Sequence, residues 1–132
     1  MQSQRVDIEV YVQTADRNAV VALLRPELGE LELEHVPELD LHIYSNQTLH
    51  LSISESVDGF LSVWLRARGR APWHDSGTPW PNSPALARFL VRGMGCMVRC
   101  DPEDDYPEVP SLSDVFLQID ADGRETLFTW GD

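Results

Sequence analysis

Residues 29–66, GELELEHVPELDLHIYSNQTLHLSISESVDGFLSVWLR, decide the fold. Apolar side chains recur at every second position and turn formers separate the runs, the period-two signature of consecutive half-buried strands. Leu31 and Leu33 are expected to face a core, with Glu30, Glu32 and Glu34 in a row on the opposite face. Pro37 interrupts this strand. Leu39, Leu41 and Ile43 read as the core face of the next strand, and Leu49, Leu51 and Ile53 as that of its neighbour. A three-residue connection, Ser45-Asn46-Gln47, keeps both sets on one side and predicts Ile43 opposite Leu49 and His42 opposite His50. Asp58-Gly59 is a tight-turn pair leading into Phe60 to Leu65, apolar on both faces and expected to be central.

Around this meander the pattern continues. Val6, Ile8, Val10 and Val12 alternate with polar residues as a half-buried strand. Thr14 or Asp16 caps a helix whose stripe is Ala19, Val20, Leu23 and Leu24, ended by Pro26 and Gly29. From Arg68 to Ser83 the periodicity vanishes in a Gly-, Pro- and Trp-containing segment, a length of loop that is often functional. Ser83 reads as the cap of a second helix with Pro84 at its start, Leu86, Phe89 and Leu90 as its stripe, and Gly93 and Gly95 as its stop. A short strand at Cys96 to Cys100 follows, then an acidic loop with three prolines from Asp101 to Ser113. A hairpin of Val115–Ile119 and Thr126–Trp130 turns at Asp120-Ala121-Asp122-Gly123. The order is β-α-β-β-β-β-α-β-β-β. Strands in runs with two helices predict an α+β fold, a mainly antiparallel sheet of about six to eight strands with both helices packed on it.

The chain has 132 residues, enough for a single domain over 1–132 with one core. Its 22 acidic residues face 10 basic ones, all arginine, for a formal charge of −12. That balance opposes binding to phosphate backbones and to anionic membranes, so neither nucleic acid nor membrane is an expected partner. It favours a cationic partner through faster encounter, while serving solubility alone is the bland alternative. No apolar run reaches the length of a membrane span, and the start at Met1 lacks a signal peptide's apolar core. Cys96 and Cys100 on one strand would lie about 13 Å apart, too far to bridge. A reduced, cytoplasmic protein is the expectation.

No catalytic signature stands out. His35, His42, His50, His74 and the two cysteines have no recognised metal-ligand spacing. Cys96 follows a helix C-terminus, whose dipole raises rather than lowers a thiol pKa, and Cys100 has Asp101 beside it. Buried structural thiols fit both. No catalytic residue, metal or cofactor is assigned. Binding features are better developed. Glu30, Glu32 and Glu34 would project about 6.6 Å apart along a strand, extended by Glu27, Glu38 and Asp40. Asp101, Glu103, Asp104, Asp105 and Glu108 surround Tyr106 in a proline-stiffened loop. Tyr106, Trp73 and Trp80 have the chemistry of interface anchors. The alternatives are a solvated edge strand, a surface loop and tryptophans folded over the core. Arg66, Arg68 and Arg70 are expected to neutralise some of the acids internally.

The segment Trp80-Pro81-Asn82-Ser83-Pro84-Ala85-Leu86-Ala87-Arg88-Phe89-Leu90, with Val98-Arg99-Cys100-Asp101-Pro102, Tyr106-Pro107, Phe116-Leu117 and terminal Phe128-Thr129-Trp130-Gly131, resembles the immunity proteins of bacterial polymorphic-toxin systems. The resemblance implies a non-enzymatic protein that binds a cognate toxin domain in the cytoplasm and occludes its active site. An acidic inhibitor suits a toxin with a basic cleft. The competing expectation is a small metal- or ligand-binding enzyme using His42, His50 and a pocket under the 68–83 loop.

Overall fold

A computed structural model describes residues 5–39, 41–110 and 113–130. Met1 to Gln4, Asp40 of the acidic row and Gly131 of the terminal motif lie outside the described residues, as does the side chain of Arg70. The elements are β1 (Asp7–Val12), α1 (Arg17–Leu28), β2 (Glu32–Val36), β3 (Leu41–Ser45), β4 (Leu49–Glu55), β5 (Leu61–Ala67), α2 (Ser83–Met94), β6 (Val98–Cys100), β7 (Val115–Ile119) and β8 (Glu125–Thr129). The order is the one the sequence predicts. All strands join one sheet, β2-β3-β4-β5-β1-β6-β7-β8, and every neighbouring pair is antiparallel. The amino-terminal strand is thus inserted between β5 and β6, and α1 carries the chain out to the far edge at β2.

Alternation builds the core. Ile8, Val10 and Val12 of β1, Leu49, Leu51 and Ile53 of β4, and Leu61, Val63 and Leu65 of β5 are buried on one face. Val98 and Cys100 of β6 and Leu117 and Ile119 of β7 continue that face. Val20, Val21, Leu24 and Leu28 of α1 and Leu86, Ala87, Leu90 and Val91 of α2 close over it. The helices approach each other at Gly93, where a Cβ would fall 2.3 Å from Leu23 Cδ2, so hydrogen is the side chain that fits this spacing.

The caps differ from expectation by small shifts. Asp16 is the N-cap of α1, its carboxylate accepting from the Ala19 amide. Pro26 does not end this helix; it sits in the last turn, and Gly29 terminates the helix at φ +84° by donating its N–H to the Arg25 carbonyl. Asn82, not Ser83, caps α2 by accepting from the Ala85 amide. Gly93 lies inside α2, and Gly95, in the left-handed region, ends it.

One register expectation is wrong, and it inverts a strand. His42 pairs with Ile53 and Ser45 with His50, so the β3–β4 hairpin closes three residues away from the predicted register. An odd slip exchanges the two faces of a strand. His42 and Tyr44 therefore point to the core, while Leu41 and Ile43 lie half-buried on the other face. Asn46 sets this register. Its Oδ1 accepts from the Thr48 and Leu49 amides and from the Thr48 hydroxyl, and its Nδ2 donates to the Leu28 carbonyl. A side chain that folds the turn and ties it to α1 overrides a count of apolar residues. Asn46→Ala should cost about 1–3 kcal/mol in urea unfolding, since several orphaned polar groups remain behind. Asn46→Asp, which keeps the acceptor but not the bond to Leu28, should lose less.

Candidate interaction surface

The acidic loop is held largely by the molecule's own cations. Pro102 is buried, and Glu103–Asp105 form one 3₁₀ turn with Glu103 at φ +50°. The Glu103 carboxylate accepts from the Ser83 amide at 3.0 Å and the Ser83 hydroxyl at 2.7 Å, at the start of α2, and lies 3.3 Å from Arg5 Nη2. Asp104 lies 3.4 Å from the same nitrogen. Asp105 accepts from Asn82 Nδ2 and pairs with Arg88. Arg88 also forks onto Glu125 of β8, at 2.8 Å and 3.0 Å, and the Tyr106 hydroxyl donates to Glu125 at 2.6 Å. Glu103, Asp105 and Tyr106 thus fasten the loop to α2 and β8, while Asp101, Asp104 and Glu108 remain exposed. The neutralising arginines are Arg5 and Arg88. Arg66 instead lies over the Trp64 ring, and Arg68 donates to the Asn46 carbonyl.

The glutamate row is in a different state. β2 is the outer strand of the sheet, and Glu32, Leu33, Glu34 and His35 are all exposed. Among the described residues no cation lies within ion-pair distance of Glu30, Glu32 or Glu34. Pairing to Ser45 and Ile43 puts Glu32 and Glu34 on the sheet face without helices, whereas Leu33, paired to Tyr44, faces the helix layer. Leu33 is nevertheless 57% exposed, which corrects its predicted burial; Leu31 is only partly buried. Beneath Leu33 runs a groove between sheet and helix, lined by Asn18, Val21, Ala22, Arg25 and Tyr44.

The tryptophan expectation fails on burial. Trp73 and Trp80 are 2% and 4% exposed. Trp73 Nε1 donates to the Trp80 carbonyl at 2.6 Å, and Trp80 packs on Phe89. The 68–83 segment is a wall of the core, and neither ring is free to anchor a partner. The histidine pair also dissolves. His42 faces the core and stacks on His35 at 4.0 Å, while His50 is on the opposite face against Ser45 Oγ at 2.8 Å. Burial, with Arg68 and Arg66 nearby, lowers the His50 pKa. His50 does line a pocket with Asp7, Trp64, Arg66 and Gly69. Among the described residues no three His, Cys, Asp or Glu side chains are grouped to hold a metal. Burial pushes both thiols up, Cys100 strongly.

Comparison with known protein families, curated proteins and solved structures finds no match to this chain. Its role has to be read from its surface.

One surface feature has no counterpart in the sequence expectations. On the helix-free face, Phe60, Phe128 and Trp130 surround Arg99, whose guanidinium lies 4.5–4.8 Å from each ring centroid. Tyr11 and Phe116 meet Trp130 edge-on. Phe128 and Trp130, two residues apart in the stretch the alternation predicts as one strand, were the available signal, although β8 itself ends at Thr129. No described helix is long and apolar enough to cross a membrane.

The Arg88 network makes stability depend on acid. The hydrogen bonds from Arg88 hold Glu125 below the usual carboxylate value, against the effect of partial burial. A depressed carboxylate stabilises the fold above its unfolded pKa, about 4.3, and that contribution disappears as pH falls through the lower folded value. Glu125→Gln should therefore lose about 1 kcal/mol at pH 7, with the gap to the parent chain closing below about pH 4 in pH-dependent urea melts.

Proposed function

We propose that this protein is a non-enzymatic acidic binding protein that neutralises a cognate, basic bacterial toxin domain in the cytoplasm by covering its active site. The observation that supports this most is the contrast between the two acidic regions. Arg5 and Arg88 engage much of the 101–108 loop, whereas Glu30, Glu32 and Glu34 stand exposed at and just before the edge strand, with no cation of the described residues within ion-pair distance. An unneutralised row of carboxylates speeds encounter with a positively charged partner and selects against an acidic one. Exposed Asp101 and Glu108 carry further negative charge on the far side of the sheet. The resemblance to toxin-immunity proteins in size, charge and layout points the same way.

A small ligand-binding enzyme is the competing reading, now centred on the His50 pocket with Asp7 and Arg66 rather than on a His42–His50 pair. Stoichiometric metal or a turned-over small molecule bound with the purified protein would favour it.

The test is a search of the neighbouring genes for the toxin domain this reading requires, then co-expression and titration with it. The chain should restore growth and form a complex that weakens markedly between low and physiological salt. Glu32→Lys with Glu34→Lys should reduce affinity about tenfold or more and flatten the salt dependence. Undiminished toxicity and no complex would overturn the reading.

A further inference from the structure

We infer that the outer edge of β2 receives an extended segment of the partner, added as a ninth strand, in which basic and apolar residues alternate. The inference rests on the binding reading above and specifies its mode. Three independent features of the edge converge on it.

First, β2 ends the sheet and Glu32 to His35 are exposed, so alternate residues turn their N–H and C=O groups away from β3 with no strand among the described residues to receive them. The opposite end strand, β8, is also unpaired on its outer side among the described residues, but it offers no free carboxylate row, because Glu125 is tied down by Arg88 and Tyr106. Second, the two faces of β2 carry different chemistry. Glu32 and Glu34 are on the helix-free face, while Leu33 overhangs the groove of Val21, Ala22 and Tyr44 on the other. A strand laid alongside sends successive side chains to alternate faces. Lysine or arginine at every second position would meet the glutamates, and the intervening apolar residues would cover Leu33. Third, Arg25 lines the groove on the helix side, so a cation is disfavoured there and favoured only on the glutamate side. The edge therefore specifies sidedness as well as charge.

The same geometry argues against a second copy of this chain as the occupant. Two β2 edges paired together would place two glutamate rows on one face, and like charges opposed across strands are destabilising. β2 spans five residues, about 17 Å at strand rise, which sets the length of the recognised segment.

The test uses the full chain, isotope-labelled, with a synthetic peptide alternating valine and arginine as the probe. Two further peptides carry backbone N-methyl groups along one edge or the other, leaving charge and composition intact. The parent peptide should shift the amide signals of β2, Val21 and Tyr44 and slow hydrogen exchange in β2. One methylated peptide should bind like the parent and the other at least tenfold more weakly, and Leu33→Glu should weaken the parent peptide about as much without altering the circular dichroism. Equal binding of both methylated peptides would overturn strand addition in favour of plain charge attraction. Shifts confined to the 101–108 loop or to the aromatic face would also overturn it, while leaving a basic partner standing. If neither the peptide nor polyarginine binds, strand addition falls, and the toxin titration decides the functional reading separately.

Discussion

Two helices cannot cover eight strands. At about 4.8 Å per strand the sheet is roughly 34 Å across, while two helices side by side cover about 20 Å. α2 lies over β1, β6 and β7, toward the β8 side of the sheet, and α1 lies against it. The shortfall is left at the margins, and it explains why an apolar residue on the correct face of β2 stays mostly in water. The exposed leucine and the groove beside it are consequences of a mismatch in widths. The mismatch is tolerable because the central strands bury enough apolar surface to hold the fold.

The helix-free face solves a different problem. It is polar near β4 and β5, where Ser52, Ser54 and Ser62 line the strands, and aromatic near β7 and β8. Arg99 sits in the aromatic part with no acid of the described residues within ion-pair distance, held by ring faces whose quadrupoles attract a cation and by a hydrogen bond from its Nε to Gln118 Oε1. Desolvation in this setting lowers its pKa, with Asp58 acting in the opposite direction. Edge-on and tilted rings around a guanidinium pack this part of the face without a second helix layer.

Element order, strand number and both helices were legible in the sequence, because each depends on local periodicity and turn chemistry. What was not legible depends on partners distant along the chain. The acidic loop could be read as charged, but its arginines lie 17 to 99 positions away, and Arg66 and Arg68, the ones that alternate invitingly, point elsewhere. Trp73 and Trp80 sit in an aperiodic segment, where no face can be assigned from spacing; only the fold shows them inside. The β3 faces were misread because Leu41 and Ile43 look like core and His42 and Tyr44 do not. A strand near the margin can turn its polar-tipped residues inward, and Asn46 decides the matter. Of the proposed surface, the glutamate row was visible as a row, whereas its place at the sheet's edge required knowing that β1 inserts centrally and leaves β2 outermost.

The single hydrogen at Gly93 has a reach beyond the helix pair. By letting α1 close up against α2, it draws α1 away from the outer strands and so fixes how wide the bare margin is. A bulkier residue there, or a larger one than leucine at position 23, would drive α1 outward over β2 and narrow the recess. Positions 23 and 93 are therefore expected to drift together, and the width of the recess beside Leu33 is set from the far side of the helix layer by residues that do not line it.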